Sequence, residues 1–561
     1  MSDSTEDVEV GAVRLDTGTG HVRQVSWSPD GAWLACLVAP YGGEDTRVLV
    51  LRPDGSDPRE LAGGPDRCGV LGSWLMDASG LGISEADRSG AGPTAFLVDP
   101  TSGRRTRLIG GPAAVVCSFS PDGRFAVVRV GRRGVRELML VHVGTGRATP
   151  VLPGADATVA DARFSVDGSR LYVHTDCGRD RPALLTLPFG RAGLRRDAYA
   201  RHAVLASRPD ADLDVFAVCG GALAVVWNVE GRSELELFDT VSGTRRTLRP
   251  PCPVINNVSF AGDLSWLLVR AEGPAQPSHL MRFPLRGRTT TPRPLFPAEP
   301  RPDLVEPAPH RFTADDGLEL SGWWYSPPNA TGAAVIWLHG GPEAQERPTF
   351  APLCQSLAAA GIGVFAPNVR GSSGYGKSFV NADNGERRFA AIADVAAAAR
   401  FLGASGLAAP DRIAVSGRSY GGYLTLAALV RYPRLFRAGV DVCGMADLET
   451  FFRDTEPWIA DAATSKYGDP HADRQLLREL SPLRRIDQLT APLLVVHGRH
   501  DTNVPLTEAE QVLAALRKLG TPAGSLLFPD EGHEIHGLAN RALFVRTVVD
   551  FLTDHLLAEG A

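Results

Sequence analysis

From residue 1 to about residue 300 the apolar positions come in short alternating runs that stop at turns, such as Trp33 to Val38, Arg47 to Leu51 and Phe125 to Val130. That pattern predicts strands and no helices. After residue 301 the rhythm changes. Apolar runs at Ala333 to Leu338, Gly361 to Ala366, Ile413 to Ser416, Gly439 to Cys443, Leu493 to His497 and Ser525 to Phe528 alternate with stretches of helical period. The helical stretches are Leu353 to Ala360, Phe389 to Leu402, Leu506 to Leu519 and Leu538 to Leu557. Strands alternating with helices imply a parallel sheet covered on both faces.

The all-strand half is a repeat. Val25-Ser26-Trp27-Ser28-Pro29-Asp30-Gly31 is echoed by Cys117-Ser118-Phe119-Ser120-Pro121-Asp122-Gly123 and, more weakly, by Ala162 to Gly168, Leu71 to Trp74 and Val258 to Asp263. A degenerate copy lies around Val215-Phe216. The aromatic positions 27, 74, 119, 164, 216 and 260 are spaced by 47, 45, 45, 52 and 44 residues. That is the period of a four-stranded propeller blade, and the Asp-Gly pairs supply the positive φ of a tight hairpin. Six copies are countable, and the N-terminal strand with poorly matching segments would supply a seventh blade. A β-sandwich is the alternative that the regular period argues against. Arg132-Arg133 and Arg195-Arg196 fall beside turns and read as exposed loops. Prolines every few positions between residues 293 and 310 mark an extended connector. The domains expected are therefore a β-propeller over 1–300 and an α/β-hydrolase domain with a doubly wound, mostly parallel sheet over 301–561.

The chemistry gathers in the second half. Gly417-Arg418-Ser419-Tyr420-Gly421 follows an apolar run and opens a helical one, the context of a nucleophile elbow. Gly417 and Gly421 leave room for the sharp reversal. A serine needs a base, and the base an orienting carboxylate. Chain order in such a fold is Ser, acid, His, which selects Ser419, Asp501 after the run ending at His497, and His533 after the run ending at Phe528. His536 is the rival base, and Asp530 and Glu531 are rival acids on the wrong loop. His497 and His500 read as structural hydrogen-bonding groups. Two donors must meet the oxyanion, and the Tyr420 and Gly341 N–H groups are the candidates, the latter in His339-Gly340-Gly341-Pro342. Phe451, Phe452, Trp458 and Tyr467 form an aromatic-rich insertion that is the candidate specificity pocket. Glu343, two residues beyond Gly341, is a candidate seat for a substrate α-amine, with pairing to Arg347 as the structural alternative.

Composition narrows the partners. A formal charge of −6 and a pI near 6.1 give no reason to expect nucleic acid or an anionic membrane. No run approaches the ~18 apolar residues of a membrane span, and the acidic N-terminus lacks the marks of a signal peptide. The eight cysteines are scattered without a Cys-x-x-Cys pair and read as free thiols. A cytoplasmic protein without metal or cofactor is expected, and homo-oligomers stay open.

His339-Gly340-Gly341-Pro342, Asn368 to Gly376, Gly417 to Tyr423 and the Asp501 and His533 loops, in this order behind a propeller, resemble the prolyl oligopeptidase family of serine peptidases. The likeness is nearest to its acylaminoacyl-peptidase and dipeptidyl-aminopeptidase-like branch. The resemblance implies a propeller, of seven blades, capping the hydrolase domain, with the active site between them and short peptides or aminoacyl amides as substrates. Two departures stand out. Asn503 occupies the place where many members carry a carbonyl-anchoring arginine, and no paired-glutamate segment of the dipeptidyl-peptidase kind is present. The expected activity is aminopeptidase-like amide hydrolysis with propeller-gated access. The alternatives are an acylaminoacyl peptidase, a hydrolase of esters or of aminoacyl small molecules of the puromycin type, and a non-enzymatic propeller binding protein, against which the intact triad argues.

Overall fold

The computed structural model describes residues 21–557 apart from 41–44, 65–66, 88–91, 112, 133, 154–156, 195–199, 287–290, 297–300 and 302. Arg133, the Arg195-Arg196 pair and the N-terminal segment 1–20 offered for a seventh blade lie outside the described residues.

Six antiparallel sheets of four main strands follow one another between His21 and Pro294. Every aromatic of the repeat lies on the first strand of its sheet. Trp27, Trp74, Phe119, Phe164 and Phe260 end those strands, and Phe216 lies within Asp212–Cys219. Among the described residues there are thus six blades, the number of repeats counted, and no seventh. The turn after the aromatic explains the rest of the motif. In three copies the serine hydroxyl donates to the aspartate two residues on, at 2.6 Å (Ser28 to Asp30), 2.7 Å (Ser120 to Asp122) and 2.6 Å (Ser165 to Asp167). The following Gly31, Gly123 and Gly168 take φ of 67 to 70°, a region open chiefly to glycine.

Each blade buries a core with its successor. Trp33 and Val48 of the first pack with Leu71 and Ile83 of the second, and apolar clusters join second to third, third to fourth, fourth to fifth and fifth to sixth. Among the described residues no such cluster joins the sixth to the first. The first blade's inner strand, His21–Trp27, is exposed along nearly its whole length, including Val22, Val25 and Trp27.

The second half is one eight-stranded sheet. Two antiparallel strands, Ala308–Thr313 and Glu319–Tyr325, lead into it and were not foreseen from the proline-rich approach. The other six run parallel in the order Gly363–Asn368, Ala334–Leu338, Ile413–Arg418, Ala438–Val442, Leu493–Gly498, Ala523–Phe528. The sheet is mixed but mostly parallel, as expected. Its core strands are buried on both faces, as in helix-covered sheets. The two apolar cores, one on each side, centre on Val415 with Leu426 and on Val440 with Leu552. The candidate residues lie beyond the carboxyl ends of these strands, where open parallel sheets collect their ligands.

Candidate active site

Ser419 sits between the strand Ile413–Arg418 and the helix Tyr420–Arg431 with φ 57° and ψ −115°. A non-glycine residue in that region is strained, and the surroundings must hold it there. They do so through two glycines. A Cβ on Gly417 would lie 2.5 Å from the backbone of Gly421, and one on Gly421 would run into the Leu338 carbonyl. The elbow therefore packs strand against helix at backbone distance.

His533 Nε2 is 3.1 Å from Ser419 Oγ, and His533 Nδ1 is 2.7 Å from Asp501 Oδ2. The other oxygen of Asp501 accepts the N–H groups of Asn503 (2.9 Å) and Val504 (2.8 Å). Burial alone would raise the Asp501 carboxyl. The charge of His533 and hydrogen bonds from His497 and His533 carry it well below its ordinary range instead. For His533 burial favours the neutral ring, but the Asp501 carboxylate beside it raises the imidazole well above its ordinary value. His536 is not at the serine. Its ring stacks on His21 of the first blade at 3.9 Å. His497 Nε2 meets the Val504 carbonyl at 2.8 Å, a structural bond as expected. Glu531 accepts the N–H groups of His536 and Gly537, and Asp530 accepts from Asn540 (3.0 Å). Neither touches the imidazole.

The Gly-Gly loop passes directly over the nucleophile, where a Cβ on Gly340 would lie 3.5 Å from that of Ser419. Gly341 has φ +126° and precedes a cis proline. His339 turns away, its Nε2 at 2.8 Å from Ser372 Oγ, and burial pushes its imidazole below the ordinary histidine value.

Above Ser419 lies a cavity of about 1020 Å³ between the two halves. Its floor includes Gly341, Ser419, His533, Asn503 and Phe451, and its roof Cys68, Ala86, Arg132 and Arg136 of the second and third blades. Trp458 and Tyr467 line it too, both on the helix Pro457–Tyr467. Phe452 does not belong to the lining. It packs against the hydrophobic core and, edge-on, against Phe451. Helical phase separates the two neighbours. Only one of two adjacent positions on the Leu448–Asp454 helix can face the cavity.

Glu343 does line the cavity, but its structural partner is not Arg347. Arg347 reaches the fifth blade, at 2.7 Å from Asp214. Glu343 lies 3.1 Å from Nζ of Lys466, a buried lysine that also stands 3.7 Å from Asp383. Asp383 in turn pairs with buried Arg388, whose guanidinium donates to the Tyr420 hydroxyl (2.5 Å) and lies over the Tyr420 and Tyr467 rings. Two carboxylates and two cations thus form one line from Glu343, beside the Gly340-Gly341 loop, to Tyr420, the residue after Ser419. Sequence reading missed Lys466, Asp383 and Arg388, because nothing in the local pattern around them distinguishes them from surface charges. It also missed Arg418, which pairs with Glu534 and donates to the His533 carbonyl (2.9 Å), tying the elbow to the histidine loop. Cys443 lies behind that loop. Burial pushes its thiol up, but His533 and Arg418 outweigh burial and bring it below its ordinary value.

Residues 348–559 match the model of the Prolyl oligopeptidase family. Over 584 aligned positions the chain is 28% identical to dipeptidyl aminopeptidase BIII of Pseudoxanthomonas mexicana, covering 97% of this chain and 81% of that enzyme. Among solved structures it superposes on a puromycin hydrolase with TM-score 0.81 at 22% identity, covering 94% of this chain and 86% of the other. An acylaminoacyl peptidase of Pyrococcus horikoshii gives TM-score 0.72 at 19% identity, with 96% and 89% covered. Taken with the elbow and the strand order, the family match makes residues 348–559 a serine peptidase domain of the prolyl oligopeptidase type, and the solved structures share the fold of propeller and hydrolase domain.

Proposed function

We propose that the protein releases single aminoacyl groups from short peptides or aminoacyl amides, through an acyl-enzyme on Ser419. The observation that carries this reading is the hydrogen-bonded line Ser419, His533, Asp501 at the floor of a roofed cavity. In this reading His533 Nε2 takes the Ser419 proton as Oγ attacks the amide carbonyl, and Asp501 holds the imidazole through Nδ1–H. The N–H groups of Tyr420 and Gly341 receive the oxyanion. His533 then passes its proton to the leaving amine, and water, deprotonated by the same ring, frees the acyl group. No metal or cofactor enters these steps. Residues 301–561 supply the chemistry and residues 1–300 the size filter. Its place is the cytoplasm. Among the described residues no helix is long and apolar enough to cross a membrane.

The free amine of the substrate is read by Glu343, at the cavity wall two residues beyond Gly341. Similarity to a dipeptidyl aminopeptidase supports the reading of a free amine, though not the length of the group released. One observation favours a second reading. Lys466 already answers the Glu343 charge at 3.1 Å, so an uncharged, acylated N-terminus would meet no unmatched carboxylate, as in an acylaminoacyl peptidase. The test compares free aminoacyl arylamides with their N-acetyl forms. Free substrates are expected to be faster, and Glu343→Gln to shrink the gap by about tenfold, the worth of one charge-assisted hydrogen bond. Preference for the acetylated forms would establish the second reading. Esters and puromycin-type aminoacyl nucleosides carrying the same acyl group belong in the panel.

A further inference from the structure

We propose that Cys443, His533 and Asp501 form a binding site for a soft divalent cation such as Zn²⁺ or Cd²⁺, and that its occupation switches the peptidase off. The inference rests on His533 being the base, as argued above.

The thiol sulfur, a ring nitrogen of His533 and a carboxylate oxygen of Asp501 lie within 4.8 Å of one another, and all three residues are buried. Sulfur, imidazole and carboxylate are the donor types that zinc takes, at about 2.0–2.3 Å each. One ion would therefore draw them together through side-chain rotation alone. Cys443 is fixed for this position by its backbone. It follows the strand Ala438–Val442, its N–H is bonded to the Val496 carbonyl at 2.8 Å, and its φ is +43°. A side chain rarely adopts that conformation, yet here it turns the sulfur back to within 3.9 Å of the His533 carbonyl.

Charge agrees with geometry. A thiolate and a carboxylate together neutralise a divalent ion. Arg418, the cation beside this cluster, is itself paired with Glu534 and donates to the His533 carbonyl. His533 lines the cavity, which gives the ion a path in and leaves a fourth position to water. On binding, the thiol proton goes to solvent and the ion takes the lone pair of one imidazole nitrogen, the neutral ring keeping its single proton on the other. That nitrogen is then lost either to Ser419 or to Asp501, and the base is disabled.

Zn²⁺ and Cd²⁺ should inhibit arylamide turnover reversibly, with recovery on adding a chelator. Cys443→Ala and Cys443→Ser should each raise the inhibition constant at least tenfold, as loss of a metal ligand does, while uninhibited turnover stays within about twofold. With Cd²⁺, the ultraviolet thiolate charge-transfer band of the wild type should lose one thiolate's intensity in both variants. Equal inhibition of wild type and both Cys443 variants would overturn the proposal, as would inhibition that disappears only in His536→Ala, which would place the ion at the His21–His536 stack. A Cys443-dependent cadmium band without inhibition would overturn the switch while leaving the role of His533 as base to the His533→Ala variant.

Discussion

Where the fourth to sixth blades meet the hydrolase domain, propeller groups hold the very segment that continues from the oxyanion loop. Asn228 donates to Gln345 (2.7 Å), Asp214 and Ser233 hold Arg347, and Glu272 accepts from the Phe350 N–H. The Asp180 carbonyl and carboxylate accept the Lys377 and Ser378 N–H groups, both at 2.7 Å. On the opposite edge the second and third blades stand off across the cavity. There Arg132 bridges to Asp461, with its side chain 52% exposed against 14% for Arg347. An exposed pair adds about 0–1 kcal/mol, whereas breaking a largely buried one costs several times more. The edge of the fourth to sixth blades is therefore the hinge expected of any opening, and the edge of the second and third blades the rim expected to part first.

The largest effects belong to the floor that both edges serve. Ser419→Ala, His533→Ala and Asp501→Asn should each lower kcat by about 10³–10⁶-fold while the protein still folds, and the combined variants should fall no further. Single-turnover rates with an arylamide check this, and near-normal activity in His533→Ala would remove the triad as the mechanism. Breaking the hinge comes next. Arg347→Met takes the cation from Asp214, leaving it only the Asn228 amide (3.2 Å), and should cost about 2–3 kcal/mol of stability, read by chemical denaturation, together with a loss of turnover as the loop after Gly341 loosens. Weakening the rim should do the reverse. Arg132→Ala or Asp461→Ala should change stability by less than about 1 kcal/mol while raising relative turnover of longer peptides. If Arg132→Ala proves the more destabilising change, hinge and rim must be exchanged. The smallest effect is a displacement along the pH axis. The base must be unprotonated, so turnover rises with pH through the His533 pKa, which Asp501 holds above the ordinary histidine value. Asp501→Asn removes that support, and the rising limb of its residual activity should move to lower pH.

These contrasts also mark what the sequence makes legible. Ser28-Pro29-Asp30-Gly31 and Gly417 to Gly421 write their structure locally. A serine bonds the aspartate two residues away, and a glycine spares a clash with a neighbour four residues on. The order Ser419, Asp501, His533 follows from strand succession alone. By contrast, Lys466 lies far along the chain from Glu343, and Asp214 from Arg347. Their pairing depends on where the Pro457–Tyr467 helix and the fifth blade come to rest. Phe452 failed for a related reason, since the phase of a short helix decides which of two aromatic neighbours faces the cavity. The leading strand Ala308–Thr313 was hidden because Pro309 and its neighbours read as a connector. Among the described residues it is an edge strand, paired only with Glu319–Tyr325, where a proline is tolerated.

Among the described residues the blade-to-blade cores run unclosed from the first to the sixth, and over that span the propeller is a linear array in its folding energetics. In such an array each unit is stabilised by its neighbours, and the terminal units open first. The sixth blade is continuous with the hydrolase domain and shares contacts with it, so it is not a loose end. The first blade has one core-sharing partner and an exposed inner strand. Opening should therefore begin at residues 21–62 and travel toward the hinge, with amide exchange fastest there and slowest in the fifth blade. Because His21 of that strand rests on His536, the least cooperative unit of the array is also the one that lies over the catalytic loop.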